Sequence, residues 1–473
     1  MKKLLVLGLL TGILATGCRK IVEDAPPSNN NGSNNGGNNG GNTTGQTITL
    51  AGKIDKDTTL KANNSYILNG LVYITNNATI TIEPGTTIKG QYTDPVGGLV
   101  ITRGAKINAK GTATNPIVFT SASGTPRAGD WAGIVLLGKA KTNSSFNGQA
   151  GVGEIEGGVN DAAGNGLYGG TDDADSSGAL QYVRIEYAGY AFLPDKEINS
   201  LTMGGVGNKT VLDHIQVSYA KDDAFEWFGG SVNAKYLIAF RTQDDDFDTD
   251  NGYRGNVQFG LVVRDSSVAD ISKSEAMESD NDANGSTNAP QTAAVFSNLT
   301  LIGPRATLGN KGSSNYLGAA VQIRRNSALS LYNSVILGWQ TGILIDASKG
   351  RPTDLNIVDS TLRVRNNIIA GVETAIKYSA STTTPTGETD ASMLTWFSTP
   401  FYGNTVLTTV DDAKFVNPFN YTSPDFAPFG TSSAATGAKF TDTKLAGMKQ
   451  VTFRGAIAAA GEDANWWKGW TKF

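Results

Sequence analysis

An acidic five-residue phrase that occurs twice constrains the fold most strongly. Asp222-Asp223-Ala224-Phe225-Glu226 returns as Asp244-Asp245-Asp246-Phe247-Asp248, 22 residues later. The same offset predicts two columns of apolar residues, which are Ile215, Leu237 and Phe259, and Val217, Ala239 and Leu261. Repeats of about 20 residues with short alternating segments predict coils that stack about 4.8 Å apart. A sandwich has no reason to repeat one column at a fixed offset, so a solenoid is favoured.

Further repeats extend this pattern along the chain. Nineteen residues separate two copies of an alternating pattern, Ile80–Ile88 and Leu99–Ile107. Three similar segments begin at Asn298, Asn333 and Asn366, at spacings of 35 and 33 residues. Alternating apolar residues mark half-buried strands, and asparagine and glycine mark the turns between them. The sequence therefore predicts an all-β solenoid of about 12 coils.

Composition narrows the class of protein. Glycine supplies 57 of 473 residues, which favours a turn-rich β architecture over a helical bundle. A single histidine excludes a zinc site built from several histidines, and a single cysteine excludes an internal disulfide. A net charge of −4 argues against nucleic acid as a partner. We expect one β-helix domain over 47–473, with long loop insertions near 148–178 and 378–436.

The N-terminus has the pattern of a secretion signal. Two lysines precede an apolar run from Leu4 to Leu14, and the only cysteine, Cys18, follows a stretch of small residues. The run is too short to span a bilayer. The segment resembles a bacterial lipobox, which implies a signal peptide over 1–17 and lipidation of Cys18. Residues 18–46 then form an Asn/Gly-rich tether, and the alternative is an ordinary secretory signal with an unrelated cysteine.

Three phrases carry a resemblance to right-handed parallel β-helices of the pectin-lyase type: Ile82–Ile88, Gly111–Ser121 and Gly129–Ile134. With Phe225–Gly230 and the terminal Gly469-Trp470, the chain also looks like a group of Gram-negative β-helix lipoproteins. That resemblance implies a lipid-anchored protein of the outer membrane. It also implies a TonB-dependent transporter as a partner.

Acidic residues concentrate in the middle of the chain. Between Asp222 and Asp282, fourteen acids face five bases, so this window carries −9 and the remainder +5. Carboxylates on adjacent coils lie about 5 Å apart and repel unless a cation, an arginine or a shared proton compensates. Dense oxygen ligands favour Ca²⁺. The predicted ligands are Asp222, Asp223, Glu226, Asp244, Asp245, Asp248, Asp250, Glu278 and Asp280, and the alternatives are an arginine-neutralised cluster or a solvated acidic turn.

Aromatic and basic residues beside the acids suggest ligand binding. The predicted ligand-binding residues are Trp227, Tyr253, Arg241 and Arg254, because sugars are held by stacking and by oriented polar groups. We expect a non-catalytic binding protein for a glycan, a cation or a nutrient. The alternatives are a Ca²⁺-dependent polysaccharide lyase or polygalacturonase-like hydrolase, and a structural envelope protein or adhesin. No catalytic residue is assigned, because the Gly-His-Gly and Arg-Ile-Lys segments of the hydrolases are missing.

Two further predictions concern aromatic side chains. The only histidine, His214, lies on a strand at a parity opposite to Ile215, so it is expected on the outer surface. Trp466, Trp467 and Trp470 are expected either to cap the open end of the solenoid or to stack on sugars.

Overall fold

The structure is a computed structural model that describes residues 45–193, 196–309 and 317–473. The predicted signal peptide, Cys18 and nearly all of the tether lie outside the described residues. Gly45–Phe473 clusters as one compact unit. Within the described ranges, no helix combines the length and apolar content needed to cross a membrane.

Two large parallel sheets form the walls of the protein. Sheet B has one strand per coil, and its eleven strands are Lys53–Ile54, Leu71–Ile74, Gly98–Ile101, Ile134–Leu137, Leu201–Gly204, Phe225–Phe228, Phe247–Asp250, Met277–Ser279, Ala319–Ile323, Thr341–Asp346 and Thr374–Ser379. The predicted all-β parallel solenoid is therefore confirmed, with eleven described coils in this sheet.

Sheet A contains seventeen strands and bends along its length. They are Thr47–Leu50, Thr58–Leu60, Ser65–Leu68, Thr79–Ile82, Thr87–Gly90, Lys106–Lys110, Ile117–Ser121, Gly178–Glu186, Val211–Ser218, Ala234–Phe240, Asn256–Val263, Val295–Ile302, Ser330–Tyr332, Val335–Leu337, Val364–Arg365, Ile368–Ala370 and Thr405–Leu407. The bend falls on residues with positive φ, among them Tyr182, His214, Tyr236 and Asn298. Each bend turns one continuous strand through a corner, so sheet A supplies two sides of the coil.

The 22-residue register is confirmed for the central pair of coils. Phe225 pairs with Phe247 and Glu226 with Asp248, and the predicted columns pair Ile215 with Leu237. The prediction is wrong one coil later, because that coil is one residue longer. Leu237 pairs with Gly260 rather than Phe259, and Ala239 pairs with Val262 rather than Leu261.

The 19-residue register near the N-terminus is also wrong. Ile80 pairs with Ile107, and Leu99 pairs with Val72, so these coils are 27 residues long. The two similar patterns occupy different sides of the coil, because all the sides use the same alternation of apolar and polar residues. The later asparagine register is confirmed, since Thr300 pairs with Val335 and Val335 with Ile368.

The insertions carry most of the remaining elements. Four antiparallel hairpins pair Ser145–Phe146 with Gln149–Ala150, Gly153–Glu154 with Leu167–Tyr168, Ala191–Leu193 with Lys196–Glu197, and Phe415–Asn417 with Asp425–Pro428. The helices are α1 (Leu355–Val358) and α2 (Asp390–Phe397), and the short 3₁₀ turns are Pro400–Tyr402, Asp411–Ala413, Ser433–Ala435, Thr443–Leu445 and Glu462–Ala464. The predicted insertion at 378–436 is not wholly a loop, because its strand Thr405–Leu407 extends sheet A.

The end of the solenoid is covered by α2 rather than by the terminal tryptophans. Met393 and Phe397 of α2 are buried in the main hydrophobic core beside the last coils. Trp470 is fully buried, but it lies on the flank of sheet A, with its ring edge-on to Tyr182 and His214. The expectation that these tryptophans cap the open end is therefore wrong.

Side-chain amides of sheet A hold the C-terminal segment against that flank. Gln216 donates to the Lys472 carbonyl at 2.7 Å and accepts from its N–H at 2.9 Å. Gln258 makes the same pair of bonds with Lys449, at 2.7 and 2.8 Å. Asn333 does so with Lys439, at 3.1 and 2.9 Å. The bend asparagines and the glutamines therefore bind the backbone of a distant segment.

Candidate functional site: an acidic cavity on sheet B

The outer face of sheet B carries a row of carboxylates from consecutive coils. Glu226 pairs in register with Asp248, and Asp248 pairs with Glu278. Successive side chains of a strand point to opposite faces. Because Phe225 and Phe247 fill the core, these three carboxylates must point outward. Their backbones are one strand spacing apart, about 4.8 Å.

A second set of acids lies in the turns just before these strands. Each turn residue uses one side-chain oxygen to accept the backbone N–H of the next coil. Asn199 accepts from Asp223 at 3.1 Å, Asp223 accepts from Asp245 at 2.8 Å, and Asp245 accepts from Glu275 at 2.6 Å. This ladder fixes the carboxylates at the edge of the sheet. It explains structurally why a side chain with an acceptor oxygen, Asn or Asp, recurs at this position.

The row and the turns enclose a cavity of about 290 Å³. Ten acids and three basic residues line it, together with Asn199 and Ser272: Glu156, Glu197, Asp222, Asp223, Glu226, Asp244, Asp245, Asp248, Asp270, Glu278, Lys221, Lys273 and Arg324. The structure thus brings together seven of the nine predicted cation ligands. Asp250 and Asp280 lie beside the cavity but do not line it.

Three groups of acids bring carboxylate oxygens within 4.8 Å of one another. The first is Asp222, Asp223 and Asp244, the second is Asp223, Glu226 and Asp248, and the third is Asp245, Glu275 and Glu278. Asp223 belongs to two of them, so the first two positions are neighbours. Two oxygens bound to one Ca²⁺ at about 2.4 Å are at most about 4.8 Å apart. Each group therefore has the compactness of a partial coordination sphere.

Burial and mutual repulsion make these carboxylates poor acids. Burial, followed by repulsion from Asp270, raises the pKa of Asp244 to about 7. Burial, followed by repulsion from Asp280, raises the pKa of Asp248 to about 7. The pKa values of Asp223 and Glu226 are raised well above the usual range, first by burial and then by their carboxylate neighbours. The row is therefore electrostatically frustrated when all its members are ionised.

Arginine neutralises one side of the cluster only. Arg324 pairs with Glu278 and with Asp280, the latter at 2.9 Å, and Arg325 also pairs with Asp280, at 2.6 Å. Asp280 is thereby compensated by two guanidinium groups. No such ion pair is found at Asp222, Asp223 or Glu226 in the described part of the chain.

A buried ion pair holds the turn that carries two cavity carboxylates. The side chains of Arg264 and Asp246 are both fully buried and lie 3.2 Å apart. Arg264 also donates to the Asp244 carbonyl at 2.6 Å. Ser272 donates to the Asp244 carboxylate at 3.1 Å from the cavity side. The position of the Asp244–Asp245 turn is therefore set from both sides.

The four residues predicted to bind an organic ligand lie elsewhere. Trp227 and Tyr253 are fully buried inside the solenoid, where their rings stack 5.3 Å apart, so neither can stack on a sugar. Arg241 pairs with Asp265 on the flank of sheet A, beneath the rings of Tyr219 and Tyr421. Arg254 pairs with Asp173 of an insertion at 3.0 Å. None of the four lines the cavity.

His214 is also placed differently from the expectation of an exposed strand residue. It faces away from the core as predicted, but its side chain is only 12% exposed. Its ring stacks between Tyr182 and Tyr236 at 4.3 and 4.4 Å, and Trp470 covers it. The role is structural.

Several residues that line the cavity were not predicted from the sequence. Asn199 and Arg324 stand on neighbouring coils, in register with Asp223 and Asp280. The spacings of 24 and 44 residues differ from the 22-residue repeat, so that repeat does not predict them. Lys221 directly precedes the first acidic phrase. Glu156 comes from an insertion, and no repeat signals its position.

Family comparisons agree with this architecture. The sequence model of the pectate-lyase-like beta helix domain matches residues 52–401. The chain belongs to this family. A search of curated proteins gave no match, and a search of solved structures also gave none. Family membership establishes the β-helix fold.

Proposed function

We propose that this protein is a lipid-anchored, extracytoplasmic binding protein whose acidic cavity takes Ca²⁺. The observation that carries the proposal is the set of three compact carboxylate groups in one half-enclosed cavity. Simple solvated acids have no need to be stacked in register and partly desolvated. A bound dication supplies the positive charge that the row lacks at Asp222, Asp223 and Glu226.

A bound cation could also bridge the protein to a larger ligand. Ca²⁺ takes six to eight oxygens, and the carboxylates of one group leave positions open to water or to an acidic ligand. Lys221, Lys273 and Arg324 line the same cavity and suit a negatively charged partner. A cation-bridged acidic glycan or nutrient fits this chemistry. Delivery of it to a TonB-dependent transporter in the outer membrane is part of the proposal.

Calorimetric titration of the full-length protein in detergent with CaCl₂ tests the cation site. We expect saturable binding above pH 7 that a chelator reverses. Asp244→Asn/Asp248→Asn should weaken it by about 100-fold or more, since each change removes a charged ligand. Asp55→Asn/Asp411→Asn, which changes two exposed acids away from the cavity, serves as the charge-matched control and should leave the affinity unchanged. Absence of calcium-dependent heat in the native protein would refute the site.

Polygalacturonate separates a binding protein from a lyase or a hydrolase. We expect Ca²⁺-dependent retention of the polymer without new unsaturated or reducing ends. Release of either kind of end by the native protein, and its loss in Asp244→Asn/Asp248→Asn, would replace the binding proposal with an enzymatic one.

A further inference from the structure

A second cavity, separate from the acidic one, lies among turns of three successive coils. Its volume is about 310 Å³, at the lower end of the ~300–1,000 Å³ typical of small-molecule sites. The lining residues are Thr287, Asn288, Ala289, Gln291, Asn326, Arg351, Asn356, Asp359 and Thr361. None of them lines the acidic cavity.

The floor of this cavity is rigidly built. Asn326 and Asn356 are each only 2% exposed. Asn356 donates to the Asn326 backbone carbonyl at 3.0 Å, and Asn326 donates to Ser286 of the preceding coil at 2.7 Å. Arg351 donates to both side-chain carbonyls, at 2.5 Å to Asn356 and 3.1 Å to Asn326. These hydrogen bonds satisfy the buried amides and define the shape of the cavity floor.

The rim, in contrast, presents polar groups to solvent. Thr287 and Asn288 are exposed, and within the described chain their side chains make no hydrogen bond. Arg351 pairs with Asp359 at 2.5 Å, and the Asp359 side chain is 52% exposed. A guanidinium beside a carboxylate offers donors next to acceptors, and the Asn288 amide does the same.

The two cavities differ in net charge. The second contains one arginine and one aspartate, which pair with each other, so its net charge is zero. An ion therefore gains little electrostatic stabilisation in this cavity. Each hydroxyl of a neutral sugar is both a donor and an acceptor, which matches neighbouring donors and acceptors on one rim. Ala289 also lines the cavity, and its methyl group is an apolar surface of the kind that the C–H face of a sugar ring packs against.

We infer that this neutral cavity binds a residue of an uncharged glycan. Asn288 and Asp359 contact its hydroxyls, while Asn326, Asn356 and Arg351 keep the cavity in shape. The protein would then hold two chemically different ligands, a cation in one cavity and a neutral sugar in the other. The inference does not depend on the calcium proposal.

Saturation-transfer NMR and calorimetry on the full-length protein, in a detergent without sugar groups, test this inference. The probes are methyl glycosides of glucose, galactose and mannose, with galacturonate as the charged comparison. We expect saturable binding of at least one neutral glycoside, without Ca²⁺. Asn288→Ala/Asp359→Ala should weaken it by about tenfold, because two exposed hydrogen-bonding groups are removed while the hydrogen bonds of Arg351 to Asn326 and Asn356 remain.

Two further variants locate the bound sugar. Asn63→Ala/Asp411→Ala, with the same residue types at exposed positions away from both cavities, should bind like the native protein. Asp244→Asn/Asp248→Asn should also bind the glycoside unchanged. The inference is overturned if no neutral glycoside saturates the protein, or if binding survives Asn288→Ala/Asp359→Ala. Loss of glycoside binding in Asp244→Asn/Asp248→Asn alone overturns it as well, because it places the sugar in the acidic cavity.

Discussion

The same coils build two opposite kinds of side-chain column. On sheet A, Tyr182, His214, Tyr236 and Phe259 stack with ring centroids 4.3, 4.4 and 4.9 Å apart in turn. On sheet B, Glu226, Asp248 and Glu278 stack at the same strand spacing. Aromatic rings attract at this distance, whereas carboxylates repel. The repeat therefore yields a self-stabilising column on one flank and a frustrated one on the other.

The two columns also differ in what covers them. The C-terminal segment closes over the aromatic column, and Trp470 there is fully buried. The acidic column opens into the cavity. The aromatic column stabilises the fold and is covered by the chain itself, so its role is structural. The acidic column destabilises the fold and stays accessible, so a bound ligand explains it better.

Removal of Trp470 should have the largest effect on stability. Trp470→Ala takes a fully buried indole from the covered flank and should cost about 3–5 kcal/mol of the free energy of unfolding. Chemical denaturation measures this cost. Calcium affinity should remain unchanged, because the flank and the cavity are on different sheets. Tyr92→Ala, at a site that is 46% exposed, is the control and should change stability by less than about 0.5 kcal/mol. Equal costs for the two variants would contradict the covered-flank interpretation.

Neutralising two carboxylates of the acidic cavity should raise the stability of the protein, which is the opposite effect. Asp244→Asn/Asp248→Asn should raise the free energy of unfolding of the metal-free protein at pH 8 by about 1–3 kcal/mol, since it relieves repulsion between buried charges. Denaturation in the presence of a chelator measures the gain. A loss of stability in this variant would show that the carboxylates are structural.

The buried ion pair should affect binding through position alone. Arg264→Met/Asp246→Asn removes one charge of each sign, so the net local charge is unchanged, but the contact to the Asp244 carbonyl is lost. Calcium affinity should fall by about tenfold, as for other residues that orient ligands. Arg241→Met/Asp265→Asn removes an ion pair away from the cavity and should leave the affinity unchanged. The positioning role is wrong if both variants bind calcium like the native protein.

Much of this arrangement follows from the sequence, for a simple reason. Strand parity and repeat length place Glu226 above Asp248, because both quantities are written in the residue pattern. The same parity puts Trp227 on the side of Phe225, inside the core, so its assignment as a ligand-binding residue could have been rejected from the sequence. The apolar columns predicted from the 22-residue repeat are wrong at Phe259 and Leu261, because one extra residue in that coil shifts the register.

Other parts of the molecule could not be predicted from repeats. Glu156 reaches the cavity from an insertion, and insertions have no register with the coils. The course of the C-terminal segment depends on single amides such as Gln216 and Gln258, whose partners are 256 and 191 residues away. Such long-range contacts leave no periodic trace in the sequence.

The free energy of unfolding as a function of pH, with and without Ca²⁺, tests the central claim most directly. The pKa values of Asp244 and Asp248 are raised to about 7 in the folded protein. Groups of this kind stabilise the fold below about pH 4 and lose that contribution as pH rises through about 7. The metal-free protein should therefore weaken steadily between about pH 4 and 7. Calcium should restore stability at pH 8 and have little effect at pH 5. A metal-free profile that is flat across this range, together with no calcium effect at pH 8, would contradict the account.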